Sequence, residues 1–309
     1  MAQVDLSGTK TTQQENGPIE ARLLEVLACP ACYGALSNDG QRVVCPACGA
    51  AYDCPEHLPV LLLPEMVKHA HALEASFQAE KLSRNAVVRL GYKLRPPVSH
   101  FDPAAFKRMR AMVAKLGPGA RVMDLGVRER PAAPGLISFD LFRFPGVQVV
   151  GDAHRLPFGT AALDGIISTA LLEHVEHPEP ILAEMRRVVR PGGLVYVEVP
   201  FLQGYHPDPI DMRRYTQPGL EQKVSEAGFT IVESGVSGGP FSMLAWMLRE
   251  FPGSLTTGKT AYFVAKFISG WLTFWVKYLD AFARRASNAH ILADGFYVLG
   301  QCPKAAEND

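Results

Sequence analysis

From about position 120 onward the chain is a succession of short apolar runs, each bounded by charged or turn-forming residues. RVMDL (121–125), LISFDL (136–141), VQVVGDA (147–153), LDGIIST (163–169), GLVYVEV (193–199), FTIVES (229–234) and GFYVLGQC (295–302) are rich in β-branched residues. At that length and composition they predict buried strands. Between them the apolar period lengthens to that of an amphipathic helix at 180–189 and again at 219–227. Alternating strands and helices predict an α/β fold with an open, mostly parallel, doubly wound sheet of the Rossmann-like kind. Ligands of such sheets lie beyond the carboxyl ends of the strands. Acidic residues stand at three of those ends: Asp124, Asp140 and Asp152.

The flanking segments have other patterns. Residues 1–18 are polar and read as a disordered tail. An apolar stripe at Val67, Ala70, Leu73 and Phe77 predicts one long helix over 66–94, ended by the prolines at 96 and 97, and a second follows at 103–116. Residues 65–116 therefore read as a helical linker, and 117–309 as the main domain. Within it the last two strands are separated by an insertion, 235–295, whose stretch 260–286 is apolar around most of its circumference. Trp271 and Trp275 lie in that stretch, with Lys266, Lys277, Arg284 and Arg285 beside them. Two roles compete for it: covering a sheet face, or lying on a membrane surface through 258–285.

Composition narrows the field only a little. Lys+Arg and Asp+Glu are equal at 31 each, so no net field draws the protein to nucleic acid. The first twenty residues lack a secretory apolar core, and no apolar run reaches the ~18–20 residues of a spanning helix. These features suggest a cytoplasmic protein, with peripheral contact on the inner face of the membrane as a further expectation.

Cysteine spacing is more informative. Cys29, Cys32, Cys45 and Cys48 form two C-x-x-C pairs twelve residues apart. Each pair can make a tight knuckle, and four thiolates complete a closed tetrahedral Zn²⁺ site of structural type. Cys54 and Cys302 read as small apolar residues of strands. Residues 19–64, including the run LPVLL at 58–62, resemble the zinc-ribbon activators that partner tRNA and release-factor methyltransferases. That resemblance implies a ribbon that docks on a methyltransferase and stabilises it.

The main domain resembles the class I S-adenosylmethionine-dependent methyltransferases, of the type 11-like kind, over about 120–233. VMDLG, ISFD, GDAHRLPF and the run LDGIISTALLEHVEHPEPILAEMRRVVRPGGLVYVEVP carry it, in order. The resemblance implies that Asp124 and Gly126 open the cofactor loop and that Asp140 holds the ribose hydroxyls. It further implies that Asp152 meets the adenine amine, that the backbone at Ala153 meets a ring nitrogen, and that Ser168 borders the site. A turn-forming role competes for Asp152.

The loop departs from the family pattern. Arg128 and Arg130 occupy the next two glycine positions, and only ten residues, 127–136, separate the first two strands. Pro131 and Pro134 are among them, so a full crossover helix does not fit. The same brevity recurs at 142–146. Short loops of this kind resemble a subgroup associated with surface-glycan pathways. Without a helix N-terminus, the cofactor carboxylate needs another partner. Arg128, or else Arg130, is the candidate, against the alternative that both are solvated.

On the acceptor side, STALLEHV (168–175) replaces the Asn/Asp-Pro-Pro-aromatic run of base amine methylation. Glu173 and His174 begin the next segment and either cap the site or satisfy backbone donors. The segment 200–216, PFLQGYHPDPIDMRRYT, offers His206 as a general base with Asp208 or Asp211 to orient it. An ion-pair cluster of Asp211, Arg213 and Arg214 is the competing role. The expected function is methyl transfer from S-adenosylmethionine to a small-molecule, glycan or lipid-linked acceptor. The alternatives are an RNA or protein methyltransferase, or a non-catalytic binding module on a degenerate methyltransferase fold.

Overall fold

The computed structural model describes residues 19–304 except 41, 83–85, 95, 97–102, 128–130, 208, 284 and 285. A short helix α1 (Ala21–Leu24) leads into a three-stranded antiparallel sheet of β1 (Ser37–Asn38), β2 (Arg42–Val44) and β3 (Ala51–Asp53). These strands are too short to bury a core. Val43 and Tyr52 are their main buried side chains, beside buried Cys29 and Cys45.

The next strand, β4 (Val60–Leu61), does not join that small sheet. It pairs in parallel with β7 (Val149–Gly151), through Val60↔Val150 and Leu61↔Gly151. The run LPVLL thus becomes the outermost strand of the large sheet, where Leu61 is fully buried. Other bonds fasten the ribbon. Ala28 N–H donates to Pro157 O at 2.9 Å and Gly159 N–H to Val26 O at 2.9 Å. Arg155 Nη2 donates to Ala31 O at 2.8 Å, and the Arg187 guanidinium lies 4.1 Å over the Tyr33 ring. Ribbon and main-sheet residues share one hydrophobic core.

The linker supplies α2 (Pro64–Leu82), α3 (Ala86–Lys93) and α4 (Pro103–Leu116). The single helix expected over 66–94 is described as two, with 83–85 outside the described residues. The strands β5 (Val122–Leu125), β6 (Ile137–Asp140), β7, β8 (Leu163–Thr169), β9 (Val189–Pro200), β10 (Thr230–Gly238) and β11 (Gly295–Gln301) complete the sheet. Its order is β10-β11-β9-β8-β5-β6-β7-β4. Pairings from β9 to β4 are parallel, and β11 is antiparallel to both β9 and β10. The chain winds from β5 outward through β6 and β7, then returns to lay β8 on the other side of β5. That reversal makes the β5–β8 junction the switch point where doubly wound sheets bind ligands.

Helix α5 (Pro178–Val188) turns Ile181, Leu182, Met185 and Val188 inward, and α6 (Gln217–Glu226) turns Leu220 and Val224. Thr216 caps α6 by accepting from Gly219 N–H. No regular helix is described between β5 and β6 or between β6 and β7. The uncovered face does not go bare. Met109 and Met112 of α4 pack on Val122, Ile167 and Tyr196, together with Ala133 and Leu136 of the shortened crossover. Ala70 of α2, with Met66 and Val67, packs on Val60 and Val150.

The insertion was expected either to cover that face or to meet a membrane. The first role belongs instead to the linker helices, whose Ala70, Met109 and Met112 pack on the sheet. The insertion is also narrower than 235–295, since β10 runs on to Gly238, opposite Gly295. It consists mainly of α7 (Pro240–Ser254), α8 (Lys259–Thr273) and α9 (Asp280–Ala283). The Asp280 carboxylate accepts from Phe241 and Ser242 N–H, which ties α9 to the start of α7. Helix α8 packs against α3, with Phe263 against Gly91 and Trp271 Nε1 donating to Leu94 O at 3.1 Å. Among the described residues, no helix is long and apolar enough to cross a membrane.

Candidate functional site

Sheet register sets the spacing of the three acids. Asp124 is inside the ladder, opposite Ser138, whereas Asp140 stands at the end of β6 opposite Val150, and Asp152 follows β7. Successive strands therefore present their acids at the same edge of the sheet. Gly126 leaves β5 with φ +84°, a left-handed conformation that costs an ordinary residue ~1–2 kcal/mol. A glycine is thus required here for backbone reasons alone.

Each acid already has a local partner. Asp124 is buried, and its carboxylate accepts from Ala132 N–H across the shortened crossover. Burial pushes its pKa up to about 6, against the pull of that bond. Asp140 Oδ1 accepts from Phe142 N–H at 2.9 Å. Asp152 caps the 3₁₀ turn Ala153–Arg155, accepting from His154 N–H at 2.9 Å and meeting His154 Nδ1 at 2.8 Å. Burial works against the Asp152 anion, but these His154 contacts hold its pKa below the usual carboxylate range. The turn-forming role weighed for Asp152 is therefore present in the structure. Ser168, at the carboxyl end of β8, has a buried hydroxyl with no hydrogen-bond partner. Arg128 and Arg130, the expected partners of the cofactor carboxylate, lie outside the described residues.

The segments expected to meet an acceptor follow β8 and β9, which end side by side, in register through Ser168↔Val197 and Thr169↔Glu198. A 3₁₀ turn, Leu172–His174, follows β8 and carries Glu173 and His174. The loop after β9 carries His206. The two histidine rings meet edge to face with centroids 5.4 Å apart. His174 Nδ1 lies 2.6 Å from Ile210 O, and His206 Nδ1 lies 2.7 Å from Gly204 O.

Asp211 does not orient the His206 ring as expected. Its carboxylate is 3.7 Å from His206 Nδ1, beyond hydrogen-bond reach. It is taken instead by a two-point contact with Arg214 and by His206 N–H at 2.8 Å. Arg214 holds the Asp211 pKa down at about 2, and also donates to Gln203 O and Gly204 O. The ion-pair role is therefore realised for Asp211 and Arg214, while Arg213 donates to Glu176 O. Asp208 lies outside the described residues.

The least anticipated group is Glu173. Its side chain is completely buried, and neither carboxylate oxygen has a hydrogen-bond partner. Burial pushes its pKa up to about 8. One ligand atom each from Glu173, His174 and His206 lie within 4.8 Å of one another. Sequence reading assigned Glu173 and His174 to capping or backbone satisfaction. An acid–His pair within five residues of one strand end, with another histidine six residues past the end of the neighbouring strand, is the signal the sequence carries.

The four-cysteine cluster is at the other end of the chain. Cys29 and Cys48 sulfurs are 3.7 Å apart, and Cys32 and Cys45 sulfurs 3.5 Å. A tetrahedron of sulfurs ~2.3 Å from one Zn²⁺ has edges of about 3.8 Å, so this donor set fits the ion. Tyr52 hydroxyl lies 3.1 Å from Cys29 Sγ and adds a contact to that thiol. Cys54 and Cys302 are buried and apart from this group.

Comparison with known proteins gives two family matches, to a methyltransferase domain over residues 128–197 and to a Trm112p-like protein over residues 20–53. A 37.1 kDa protein of transposon TN4556 from Streptomyces fradiae is 34% identical over 105 residues, covering 33% of this chain and 28% of that protein. Demethylmenaquinone methyltransferase of Mycobacterium tuberculosis H37Rv is 29% identical over 108 residues, covering 30% of this chain and 46% of that one. The chain thus spans less than half the length of these two relatives. Among solved structures, a 1,6-didemethyltoxoflavin-N1-methyltransferase from Burkholderia thailandensis aligns with 87% of this chain and 99% of its own. The TM-score is 0.38 and the identity 15%. The first family match spans Asp140, Asp152 and Ser168, and the second the two cysteine knuckles. The chain therefore carries a methyltransferase domain behind a Trm112p-like segment.

Proposed function

We propose that the protein is an S-adenosylmethionine-dependent methyltransferase acting on a hydroxyl of a small-molecule, glycan or lipid-linked acceptor. The observation that supports it best is the row of acids at the ends of β5, β6 and β7 beside the left-handed Gly126, at the switch point of the sheet. S-adenosylmethionine, when bound, supplies an electrophilic methyl group. Asp140 would accept the ribose hydroxyls, for which a carboxylate is the matching acceptor. Asp152 and the backbone at Ala153 would meet the adenine, and the buried Ser168 hydroxyl gains a partner once the crevice is filled. The loop 200–216 would shape the acceptor pocket, where positioning contributes more than proton transfer.

Zn²⁺ would hold the two cysteine knuckles and so fix the ribbon against the sheet. The insertion from α7 to α9 bears exposed Leu248, Phe251, Leu255, Leu272, Trp275 and Phe282. This supports peripheral contact with a lipid surface and a lipid-linked acceptor. A non-catalytic binding module is the competing function, favoured by the bonds that Asp124 and Asp152 already make to their own backbone.

Calorimetric titration with S-adenosylmethionine and S-adenosylhomocysteine separates the two. Binding that weakens at least ~10-fold in Asp140→Ala is expected, equivalent to ~1.4 kcal/mol. A folded, zinc-loaded sample that binds neither compound would overturn the enzymatic function in favour of the binding module.

A further inference from the structure

We propose that Glu173, His174 and His206 bind a divalent metal ion at the carboxyl ends of β8 and β9, separate from the four-cysteine cluster. The three ligands come from two loops that the parallel pairing of β8 and β9 forces together. Their ligand atoms already converge within 4.8 Å.

The first support is the state of Glu173. A fully buried carboxyl group with no hydrogen bond to either oxygen is costly unless a cation or donor meets it. Arg214 is the cation held nearby, but Asp211 engages it at two points, and its remaining N–H groups go to backbone carbonyls. A metal ion would give Glu173 the positive charge that its own surroundings commit elsewhere.

The second support is the orientation of the rings. Carbonyl oxygens only accept, so Ile210 O and Gly204 O place the proton of each histidine on Nδ1. Arg214 Nη2 also stands 3.1 Å from His206 Nδ1, but its two protons are directed to Gly204 O at 2.8 Å and Asp211 Oδ2 at 2.7 Å. With Nδ1 so engaged, Nε2 is the nitrogen that each ring would turn to an ion. A histidine that donates one ring N–H to a carbonyl while binding metal through the other nitrogen is the usual supporting arrangement of metal sites.

Geometry and donor type then narrow the ion. Ligand atoms ~2.1 Å from one ion stand about 3–4 Å apart. His174 Nε2 and Glu173 Oε1 are 3.7 Å apart already, and the widest pair closes with a side-chain movement of roughly 1 Å. One carboxylate and two imidazoles suit Mn²⁺, Fe²⁺, Co²⁺, Ni²⁺ or Zn²⁺ and leave coordination positions open. His206 belongs to the loop 200–216, which is proposed above to shape the acceptor pocket. A hydroxyl bound to the ion there would release its proton more readily and be oriented as a nucleophile. Only that last step rests on the methyltransferase function proposed above; the ion's binding does not.

The test uses the full-length, zinc-loaded protein titrated with MnCl₂ and read by electron paramagnetic resonance of the remaining free ion. Mn²⁺ favours oxygen and nitrogen donors and does not displace zinc from four thiolates. One Mn²⁺ per chain is expected. Glu173→Gln and His206→Ala should each weaken it by at least ~10-fold while the zinc content stays at one per chain. Should either variant fold poorly, the wild-type protein decides: bound Mn²⁺ is expected to broaden the ring resonances of His174 and His206. The inference is overturned if the wild type takes up no Mn²⁺, if both variants bind it as well as the wild type, or if those resonances stay sharp. S-adenosylmethionine binding is measured separately, without metal, so loss of one result leaves the other standing.

Discussion

The four-cysteine cluster and the Glu173–His174–His206 cluster are both convergent sets of metal-type donors, yet they are made in opposite ways. The cysteines lie within twenty residues of sequence, on two knuckles whose tight turns bring the sulfurs together locally. The other cluster joins residues 32 positions apart in sequence, and nothing local connects them. They meet because β8 and β9 are parallel neighbours ending at the same edge. A site of the first kind carries its own geometry and lends stability to the fold around it. A site of the second kind inherits its geometry from the fold.

That contrast orders the expected effects of mutation. Cys29→Ser should be the most damaging, because the ribbon has little core of its own and contributes β4 to the large sheet. Loss of bound zinc and a fall in melting temperature of at least ~10 °C are expected, measured by metal analysis and calorimetry. An unchanged melting temperature would mean that the ribbon's docking on the sheet adds nothing. Leu61→Ala tests that docking without touching a thiol. At a fully buried sheet-edge position it should cost ~2–5 kcal/mol by denaturant titration and leave the zinc in place.

The second cluster should respond to its supporting loop. Asp211→Asn removes the two-point partner of Arg214 and should cost ~2–3 kcal/mol, with no change in zinc content. The sign of the pH dependence follows. Because the folded-state pKa of Asp211 is depressed to about 2, its stabilisation is present above the ordinary value near 4. It is lost as pH falls through about 2. Acid unfolding of wild type and Asp211→Asn should therefore converge at the lowest pH; parallel curves throughout would refute the ion pair's role.

Smaller effects are expected outside both clusters. Gly126→Ala should cost ~1–2 kcal/mol through its backbone conformation, and more in S-adenosylmethionine affinity than in stability. Trp275→Ser on the exposed insertion should change stability by no more than ~0.5 kcal/mol. Vesicle flotation is where that variant should differ from wild type, and equal flotation would remove the lipid-contact proposal.

Much of the sheet was legible because its inner strands, such as β5, β7 and β11, are buried on both faces. LDGIIST reads as a strand and is one, Leu163–Thr169, residue for residue. The truncated crossovers were legible too, since ten residues with two prolines cannot hold a helix and its turns. The replacement of those helices was not. Helices α2 and α4 look in sequence like a linker, and only packing shows Met109, Met112 and Ala70 on the sheet. The role of LPVLL was equally hidden, because an apolar run does not state which sheet it will join. In the candidate site, Asp211 meets His206 through the backbone N–H and not the ring, and of the two roles weighed for it the ion pair with Arg214 is the one its contacts show. A carboxylate near a histidine suggests a pair, yet Arg214 competes for it with full charge and planar two-point geometry.

The sequence by itself determined the alternation of elements, the acids at strand ends and the four-thiol donor set. All of these depend on periodicity or on separations of a few residues, which the covalent chain enforces. Tertiary structure alone decided that the ribbon completes the sheet, that the linker covers it, and that Glu173 sits buried against two histidines without a hydrogen bond. Those outcomes depend on which surfaces find each other after collapse. Burial and pairing between distant segments are set by the whole packing arrangement, so no local window of residues contains them.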